Sequence, residues 1–205
     1  MVESLYVDLK LRHDLKIIAD LVQPGHRVLD LGCGDGSFLK MLRETRGADI
    51  LGMEIEHKLV AQCIANGVPV IQSDLNDELD FAEENSFDLV ILSQTLQQVK
   101  RPDRLLRRIV RVGRRAAVSF INFGHFHCRL QLLFAGSMPR TTQIPYQWYN
   151  TPNIHLGTIR DFQRLCNHLE IRIYQEIPVG MTFPLLTTSM PNLFAVGCVF
   201  VLERK

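Results

Sequence analysis

Residues 28–38 decide the fold, and they read Val28-Leu29-Asp30-Leu31-Gly32-Cys33-Gly34-Asp35-Gly36-Ser37-Phe38. A short apolar run, typical of a buried strand, leads into three glycines at alternate positions and then into an amphipathic segment. A strand that ends in glycines and continues into a helix lets a ligand approach the backbone where a Cβ would collide. It also directs free N–H groups at that ligand. We therefore predict a ligand site at this turn.

The spacing of the glycines distinguishes between ligands. Dinucleotide sites use G-x-G-x-x-G and phosphate loops use G-x-x-x-x-G-K-[ST], whereas this turn is D-x-G-x-G-x-G and has no lysine. Asp30 and Asp35 add negative charge, which disfavours a pyrophosphate and suits a ligand with an ammonium and a sulfonium group. S-adenosylmethionine is such a ligand. The alternative is a generic strand-to-helix turn in which Asp35 caps the helix.

Length and composition limit the class of protein. The 205 residues suffice for one α/β domain and are too few for two of ordinary size, so we predict a single domain over 1–205. A net charge of +1 argues against a surface built throughout for nucleic acid, and no apolar run approaches the ~18 residues that span a bilayer. The five scattered cysteines indicate reduced thiols rather than a disulfide frame or a zinc site. We expect a cytoplasmic protein without membrane attachment.

Strand and helix patterns alternate along the chain. Helices are predicted over 9–22, 37–45, 56–66, from Pro102 onward and over 158–168; strands are predicted over 28–31, 50–54, 68–72, 86–93, 116–121, 171–179 and 193–202. Alternation through five repeats predicts an α/β fold with a mostly parallel seven-stranded sheet and helices on both faces.

Acidic residues follow the second and third strands, at the edge where open parallel sheets bind ligands. Glu54 ends the second strand eighteen positions beyond Gly36, from which a carboxylate can bind ribose hydroxyls. Glu56 is the alternative if that strand is two residues longer, and either acid could instead stabilise a helix N-terminus. Asp74 follows the third strand and could also cap the next turn. Arg12 could reach a ligand carboxylate, although a solvated or salt-bridged arginine is the commoner outcome.

The turn resembles motif I of the class I S-adenosylmethionine-dependent methyltransferases in its acid, its three glycines in register, its strand and its helix. The resemblance implies their Rossmann-like fold with an antiparallel last strand, and S-adenosylmethionine or S-adenosylhomocysteine as ligand. In that family an acid at the position of Asp74 binds the adenine amine, and Leu75 would supply a backbone N–H. We read Cys33 as a small packing residue within the loop. The predicted cofactor-binding set is Asp30, Gly32, Cys33, Gly34, Gly36, Glu54, Asp74, Leu75 and Ser93.

The segment after the fourth strand departs from the catalytic members of that family. Residues 87–90 resemble motif IV, but Ser93-Gln94-Thr95-Leu96 stands where amino methyltransferases carry [DN]-P-P-[FY]. Many small-molecule members have a histidine shortly afterwards, where this chain has Gln97-Gln98-Val99, and an amide cannot take a proton at neutral pH. No catalytic residue is therefore predicted. Methyl transfer can proceed by positioning alone, so whether the chain is an enzyme stays open.

The connection between the fifth strand and the next helix is unusually long. Residues 122–156, which we call the insertion, far exceed the roughly 2–6 residues usual between a strand and a helix. The insertion is rich in aromatic residues, is typical of a lid or recognition surface and contains a predicted helix over 126–134. Its His125, His127 and Cys128 lack the spacing of a metal site, so no metal is predicted.

The helix that begins at Pro102 carries four arginines at helical spacing on one face. A solvated face is the plainer interpretation, and a docking stripe for an acidic partner is the sharper one. Nucleic acid is disfavoured because no aromatic residues lie between the arginines. The four are Arg104, Arg107, Arg108 and Arg111.

A narrower resemblance covers residues 29–38, 93–98, 101–103 and 145–156, which are similar to the MetW family of methionine biosynthesis. Its members have a methyltransferase-like fold, often lie beside the homoserine O-acyltransferase MetX and are linked to its activity. The resemblance implies an accessory or regulatory protein that binds S-adenosylmethionine and acts with that acyltransferase. The alternative is an active methyltransferase whose small acceptor is oriented under the insertion by Gln94, Tyr146, Trp148 or His155.

Overall fold

The computed structural model describes residues 12–76, 81–180 and 183–205, and its strands form one seven-stranded sheet. The strands are β1 (Arg27–Leu31), β2 (Asp49–Glu54), β3 (Val70–Gln72), β4 (Phe87–Ser93), β5 (Gly113–Ile121), β6 (Ile171–Val179) and β7 (Gly197–Arg204). The α-helices are α1 (His13–Leu21), α2 (Ser37–Arg46), α3 (His57–Ala65), α4 (Pro102–Val112), α5 (Phe126–Leu130), α6 (Ile159–His168), α7 (Pro184–Ser189) and α8 (Pro191–Phe194).

The strand order across the sheet is β3-β2-β1-β4-β5-β7-β6. Strands β1 to β5 pair in parallel, and β7 lies antiparallel between β5 and β6. The predicted mostly parallel sheet with an antiparallel last strand is thus confirmed. From β1 the chain first adds β2 and β3 on one side and then crosses to add β4 and β5 on the other side. In such sheets a crevice for ligands forms at the carboxyl ends of the strands where the order reverses.

The continuous apolar strands arise because helices cover both faces of the sheet. Neighbouring residues of one strand point to opposite faces, so Val28 packs in one core cluster and Leu29 in the other. Strand β4 repeats the pattern, with Leu89 and Val90 in different clusters. A strand that is buried on both sides needs apolar residues at every position, and this accounts for its sequence.

Most predicted elements are confirmed to within a few residues, and the clearest error lies near the end of the chain. A single strand is predicted over 193–202, but Pro191 opens helix α8 and the strand begins only at Gly197. Proline has no N–H for a sheet ladder and is favoured in the first turn of a helix. Strand β3 likewise starts at Val70, after Pro69, and not at 68. Residues 9–11 of the first predicted helix lie outside the described residues.

The insertion follows β5 and begins with α5, which continues into a π-helical turn, Gln131–Ala135. The predicted helix over 126–134 is therefore confirmed. Ile144 returns to pack with Ile121 and Cys128 in a small third core cluster, which anchors the irregular part of the insertion to the end of the sheet. In the part of the chain that the structure describes, no helix is long and apolar enough to cross a membrane.

Candidate functional site

A cleft of about 860 Å³ opens at the carboxyl ends of the parallel strands, where the strand order reverses. Its walls come from the turns after β1, β2 and β4, from the segment after β3 and from the insertion. The volume lies within the range of roughly 300–1,000 Å³ that is usual for ligand pockets. Of the predicted cofactor-binding set, the lining includes Gly32, Glu54, Asp74, Leu75 and Ser93, and it also includes Glu56, the alternative to Glu54. The lining does not include Asp30, Cys33, Gly34 and Gly36.

The three glycines of the turn have positive φ angles, which favour glycine over any residue with a Cβ. A Cβ at Gly32 would lie 2.7 Å from Oγ1 of Thr95, and one at Gly36 would lie 3.0 Å from Sγ of Cys63. At Gly34 nothing lies within 4 Å of that position. Two of the glycines therefore serve the packing of the protein against itself, and Gly34 alone of the three faces open space.

The backbone N–H groups of this turn are already bonded within the protein. Gly32 and Cys33 donate to the carbonyl of Met53 at 2.8 and 3.1 Å, and Gly36 donates to the carbonyl of Cys33 at 3.1 Å. Gly34 donates to Oε2 of Glu54 at 2.9 Å. These four groups, which were predicted to be free, are therefore occupied. The end of β2 supplies the acceptors for Gly32, Cys33 and Gly34, and the turn itself supplies the acceptor for Gly36.

Glu54 is buried and accepts hydrogen bonds from three backbone N–H groups. Besides Gly34, its partners are Ile55 at 2.8 Å and Glu56 at 3.1 Å, both on Oε1. A carboxylate has about four acceptor sites, so one is left for a ligand hydroxyl. Glu56 is exposed and lines the same cleft. Glu54 thus ties the glycine turn to the start of α3, a role that its spacing did not reveal.

The two aspartates of the turn act from outside the cleft lining. Asp30 is buried beneath the turn, and its Oδ1 has no hydrogen-bond partner among the described residues. Burial raises the pKa of Asp30 to about 7; the positive charge of Arg12 opposes this rise and the charge of Glu54 adds to it. Asp35 caps α2, since its two oxygens accept from the N–H and the hydroxyl of Ser37 at 3.0 and 2.7 Å. Both aspartates thus place negative charge at the turn, and neither lines the cleft itself.

Cys33 does not line the cleft with its side chain, in agreement with its interpretation as a packing residue. Its Sγ lies 3.8 Å from Sγ of Cys63, and the Cys63 thiol donates to the carbonyl of Gly34 at 3.1 Å. Both thiols are buried, and burial raises both of their pKa values. These thiols therefore support the turn from behind.

Asp74 forms the predicted turn cap and also lies on the cleft lining. Its Oδ1 accepts from the backbone N–H of Asn76 at 2.9 Å and from the side-chain amide of the same residue at 2.6 Å, which is a turn cap. The residue also lines the cleft together with Leu75. Capping holds the carboxylate at the cleft wall, so the structural role does not compete with ligand binding.

A buried polar cluster lies where β4 and β5 end, and sequence reasoning missed its centre, Asp14. Oδ2 of Asp14 accepts from Ser119 at 2.7 Å, from Ser93 at 2.9 Å and from Arg12 at 2.9 Å. Burial alone would raise the pKa of Asp14, but these donors and the charge of Arg12 hold it below its usual value. Arg12 is salt-bridged, as the commoner interpretation expects, and it still lines the cleft. No local signal marks the cluster around Asp14, because its two hydroxyl partners, Ser93 and Ser119, are 79 and 105 residues away.

Gln97 belongs to the segment that was compared with the histidine of many small-molecule methyltransferases, and its side-chain amide bonds to the backbone of neighbouring elements. It is buried, donates to the carbonyls of Ile121 and His155, both at 3.2 Å, and accepts from the N–H of Ile121 at 3.1 Å. Its backbone carbonyl accepts from Ile154 at 2.9 Å and from His155 at 3.1 Å. Gln97 therefore clamps the far end of the insertion to the end of β5.

The candidates for orienting an acceptor are not brought together. Gln94 and Tyr146 line the cleft, whereas Trp148 is mostly exposed and His155 lines a separate apolar cavity of about 120 Å³. Gln94 has a φ of 54°, an uncommon value for a residue with a side chain, and its N–H donates to the carbonyl of Ser119 at 2.9 Å. The backbone of the loop is thus shaped by β5 rather than by a proline pair.

The remaining sequence features lie outside the cleft. Of the arginine row on α4, Arg104, Arg107 and Arg111 are exposed, and Arg107 reaches the carbonyl of Leu169 at 3.5 Å. His125, His127 and Cys128 line a cavity of about 170 Å³. Within the described ranges, no group of three or more His, Cys, Asp or Glu is arranged to hold a metal ion.

Comparison with known sequences identifies relatives over nearly the whole chain. The profile of the family described as methionine biosynthesis protein MetW matches residues 12–202. The bifunctional methionine biosynthesis protein MetXA/MetW of Rhodopirellula baltica is 34% identical, over 97% of this chain and 34% of that protein. The chain thus spans about a third of the length of this relative.

Solved structures with the same fold include methyltransferases and a protein with another reaction. An S-adenosylmethionine-dependent methyltransferase from Mesorhizobium loti matches with a TM-score of 0.65 at 21% identity, over 88% of this chain and 92% of that one. The [4+2]-cyclase SpnF matches with a TM-score of 0.64 at 14% identity, over 93% and 80% of the two chains. At such identities the likeness establishes the fold and leaves the reaction to the site itself.

Proposed function

The chain belongs to the MetW family of methionine biosynthesis proteins, and we propose that it binds S-adenosylmethionine or S-adenosylhomocysteine in the cleft and thereby regulates a homoserine O-acyltransferase of the MetX type. The observation that carries the regulatory role is the use of Gln97 as a clamp on the insertion. An amide committed to backbone groups in this way cannot act as a base.

The charges of the cleft support a cationic ligand. Glu54, Glu56 and Asp74 line it, and among the described residues of the lining Arg12 is the one Lys or Arg side chain. The charge of Arg12 is balanced by its ion pair with Asp14. A cleft whose other charges are carboxylates attracts the sulfonium and ammonium groups of S-adenosylmethionine.

The parts of the ligand can be assigned to walls of the cleft. The remaining acceptor site of Glu54 suits a ribose hydroxyl, and Asp74 with the N–H of Leu75 suits the adenine edge. Arg12 uses Nε and Nη2 on Asp14 and Ser93, which leaves Nη1 to donate to the carboxylate of the methionine moiety. Gly34, with open space beside its Cα, suits the closest approach of the ligand to the backbone.

The side chains around Ser93 are poorly suited to proton transfer during methyl transfer. Ser93 brings a hydroxyl to the cleft lining, and this hydroxyl donates to Asp14. A carboxylate whose pKa is held below its usual value, as that of Asp14 is, makes a poor general base. The polar groups around Ser93 therefore favour a binding role over proton transfer.

The partner is proposed from the relative in Rhodopirellula baltica. By its name that protein combines MetXA with MetW, and a region similar to this chain makes up about a third of it. Covalent linkage raises the effective concentration of two units that act together. We extend this relationship to a homoserine O-acyltransferase that is a separate chain.

Calorimetric titration with S-adenosylmethionine and S-adenosylhomocysteine, followed by an acyltransferase assay with and without this protein, tests the proposal. We expect saturable binding, a change in acyltransferase rate that depends on the ligand, and no methylated product from cell extract. An active methyltransferase is the second candidate, favoured by Tyr146 on the cleft lining, which could hold an acceptor beside the methyl donor. Stoichiometric methylation of an acceptor would establish that candidate instead.

A further inference from the structure

The second half of the insertion has an inner and an outer side, and we call residues 141–156 the strap. Its inner side forms a wall of the cleft through Thr142, Gln143, Pro145, Tyr146, Pro152 and Asn153. Its outer side leaves large apolar side chains in water: the exposed fractions are 72% for Trp148, 70% for Tyr149, 57% for Ile154 and 50% for Leu156. Clusters of exposed apolar side chains on a folded protein mark interaction surfaces.

The strap presents its aromatic residues on a turn that is held at both ends. Ile144 is anchored in the small core cluster, and Gln97 bonds the N–H groups of Ile154 and His155. Between these anchors the turn is closed locally, by the N–H of Asn150 on the carbonyl of Gln147 and by the N–H of Gln147 on Oδ1 of Asn150. The rings of Trp148 and Tyr149 pack edge to face, 5.7 Å apart, so the pair is ordered before a partner arrives.

The charge of this region identifies the chemistry of the partner. Residues 104–160 contain nine arginines and no aspartate or glutamate, whereas the rest of the chain has more acidic than basic residues. Two of the nine, Arg114 and Arg115, form ion pairs with Asp88 and Glu203. In the insertion, Arg129 and Arg140 donate to the backbone carbonyls of Gly124 and Pro145, and no carboxylate among the described residues forms an ion pair with them. A complementary surface is therefore acidic around an apolar centre.

We infer that the outer side of the strap is the surface that docks on the homoserine O-acyltransferase, with Trp148 and Tyr149 inserted in an apolar pocket that is rimmed by acidic residues. The inference rests on the proposed function and adds the contact surface to it. Tryptophan, tyrosine and arginine are the residues that most often dominate the energy of protein interfaces.

Two other partners fit the outer side of the strap less well. A second copy of this chain on a twofold axis would bring the basic region against itself, and like charges across an interface are repulsive. Single-stranded RNA would stack on the aromatic rings, but Ile154 and Leu156 offer no ring for stacking. A folded protein with an apolar pocket can contact all four exposed apolar side chains of the strap, which are Trp148, Tyr149, Ile154 and Leu156.

Because one strap forms both surfaces, docking and ligand binding are linked. A partner that moves or rigidifies the outer side also changes the wall that carries Tyr146 and Asn153. Linkage is reciprocal, so the ligand must change the affinity for the acyltransferase by the same factor as the acyltransferase changes the affinity for the ligand.

The double variant Trp148→Ala/Tyr149→Ala tests the surface against the control Ile64→Ser. Ile64 is 67% exposed on α3, outside the strap, and so matches the exposure of the tested residues. With a purified homoserine O-acyltransferase, we expect association to weaken about 30-fold or more in the double variant and less than about twofold in the control. The affinity of the double variant for S-adenosylmethionine should stay close to that of the wild type, which shows that the cleft is intact.

The outcomes separate this inference from the proposed function. If the double variant binds the acyltransferase as tightly as the wild type, the docking surface is elsewhere and the inference is overturned, while the proposed function stands. If the wild-type protein does not associate with the acyltransferase in the presence or absence of S-adenosylmethionine, both are overturned. Loss of self-association or of RNA binding in the double variant, with acyltransferase binding retained, assigns the strap to that other occupant and also overturns the inference.

Discussion

Oε2 of Glu54 accepts a hydrogen bond from the backbone N–H of Gly34 at 2.9 Å, and this contact joins the end of β2 to the turn after β1. The two residues are twenty positions apart in the chain. Glu54, which we propose to bind the ribose, therefore also holds the glycine turn in shape. Ligand affinity and local stability are coupled at this carboxylate.

Removal of the Glu54 carboxylate should weaken both ligand binding and the stability of the fold. We expect Glu54→Ala to reduce the affinity for S-adenosylmethionine by about 1–3 kcal/mol, because charge-assisted bonds are lost, and to lower the melting temperature, because three N–H groups lose their acceptor. Titration calorimetry and thermal unfolding measure the two effects. Glu56→Ala is the matched control, since Glu56 lines the same cleft and is exposed. The reverse result, with only Glu56→Ala weakening the ligand, would make Glu56 the ribose ligand.

Substitution of Gly34 should affect the ligand more than the fold. A side chain at Gly34 enters open space at the proposed ligand position, so we expect Gly34→Val to abolish binding of S-adenosylmethionine. Backbone strain at its φ of 60° should cost about 1–2 kcal/mol of stability. Gly47→Val is the control, because Gly47 has a φ of 59° and equally open surroundings but follows the C-terminal end of α2, whereas Gly34 bonds directly to Glu54 on the cleft lining. Equal melting temperatures with binding lost only at Gly34 would support the site, and retained binding there would refute it.

Asp30 should make both stability and affinity depend on pH. Its pKa is raised from 3.8 to about 7 in the folded protein, so the folded state holds a proton that the unfolded chain has released. Stability should therefore fall as the pH rises from about 4 to about 7. Asp30→Asn removes this loss, so the free energy of unfolding of the variant minus that of the wild type should be larger at pH 8 than at pH 5.

The affinity for S-adenosylmethionine should change with pH in the opposite direction to stability. A cationic ligand favours ionised Asp30, so the affinity of the wild type for S-adenosylmethionine should rise with pH through about 7 and that of Asp30→Asn should rise less. Denaturant unfolding and calorimetry at the two pH values give both quantities. A difference in stability between the two proteins that is the same at pH 5 and pH 8 would contradict the assignment.

Loss of the Gln97 side chain should loosen the strap. Gln97→Ala leaves the carbonyls of Ile121 and His155 and the N–H of Ile121 without this partner, which should cost about 1–3 kcal/mol of stability. We also expect faster proteolytic cleavage within 141–156. Gln98→Ala is the control, because this neighbouring exposed amide bonds only to the carbonyl of Gln94 among the described residues. Similar cleavage of the two variants would show that Gln97 is not the clamp.

The sequence allowed the place of the cleft to be predicted, because that place depends on local patterns. The alternation of strands and helices predicted the sheet, and the glycine turn with Glu54 at the end of β2 indicated the edge at which the cleft lies. Asp74 was found for the same reason, since it directly follows a strand. The sequence also showed Gln97-Gln98-Val99 where many small-molecule methyltransferases of this fold have a histidine, and whether the chain lacks a base stays a prediction.

Spatial neighbours distant in sequence escaped prediction. Asp14 is central to the polar cluster only because α1 lies against the ends of β4 and β5, which are far along the chain. The N–H groups of the glycine turn were expected to be free, and they are occupied because β2 runs beside β1. The chain alone likewise could not indicate that Trp148 is exposed while Tyr146, two residues earlier, lines the cleft.

Periodicity, glycine spacing and the residues that end each strand were enough to establish the fold class and the edge of the sheet that carries the cleft, because these features act over a few residues. The order of the strands and the path of the strap decided which polar groups are already bonded and which side chains face the cleft or the solvent. These outcomes depend on contacts across many tens of residues, and such contacts exist only once the chain has folded.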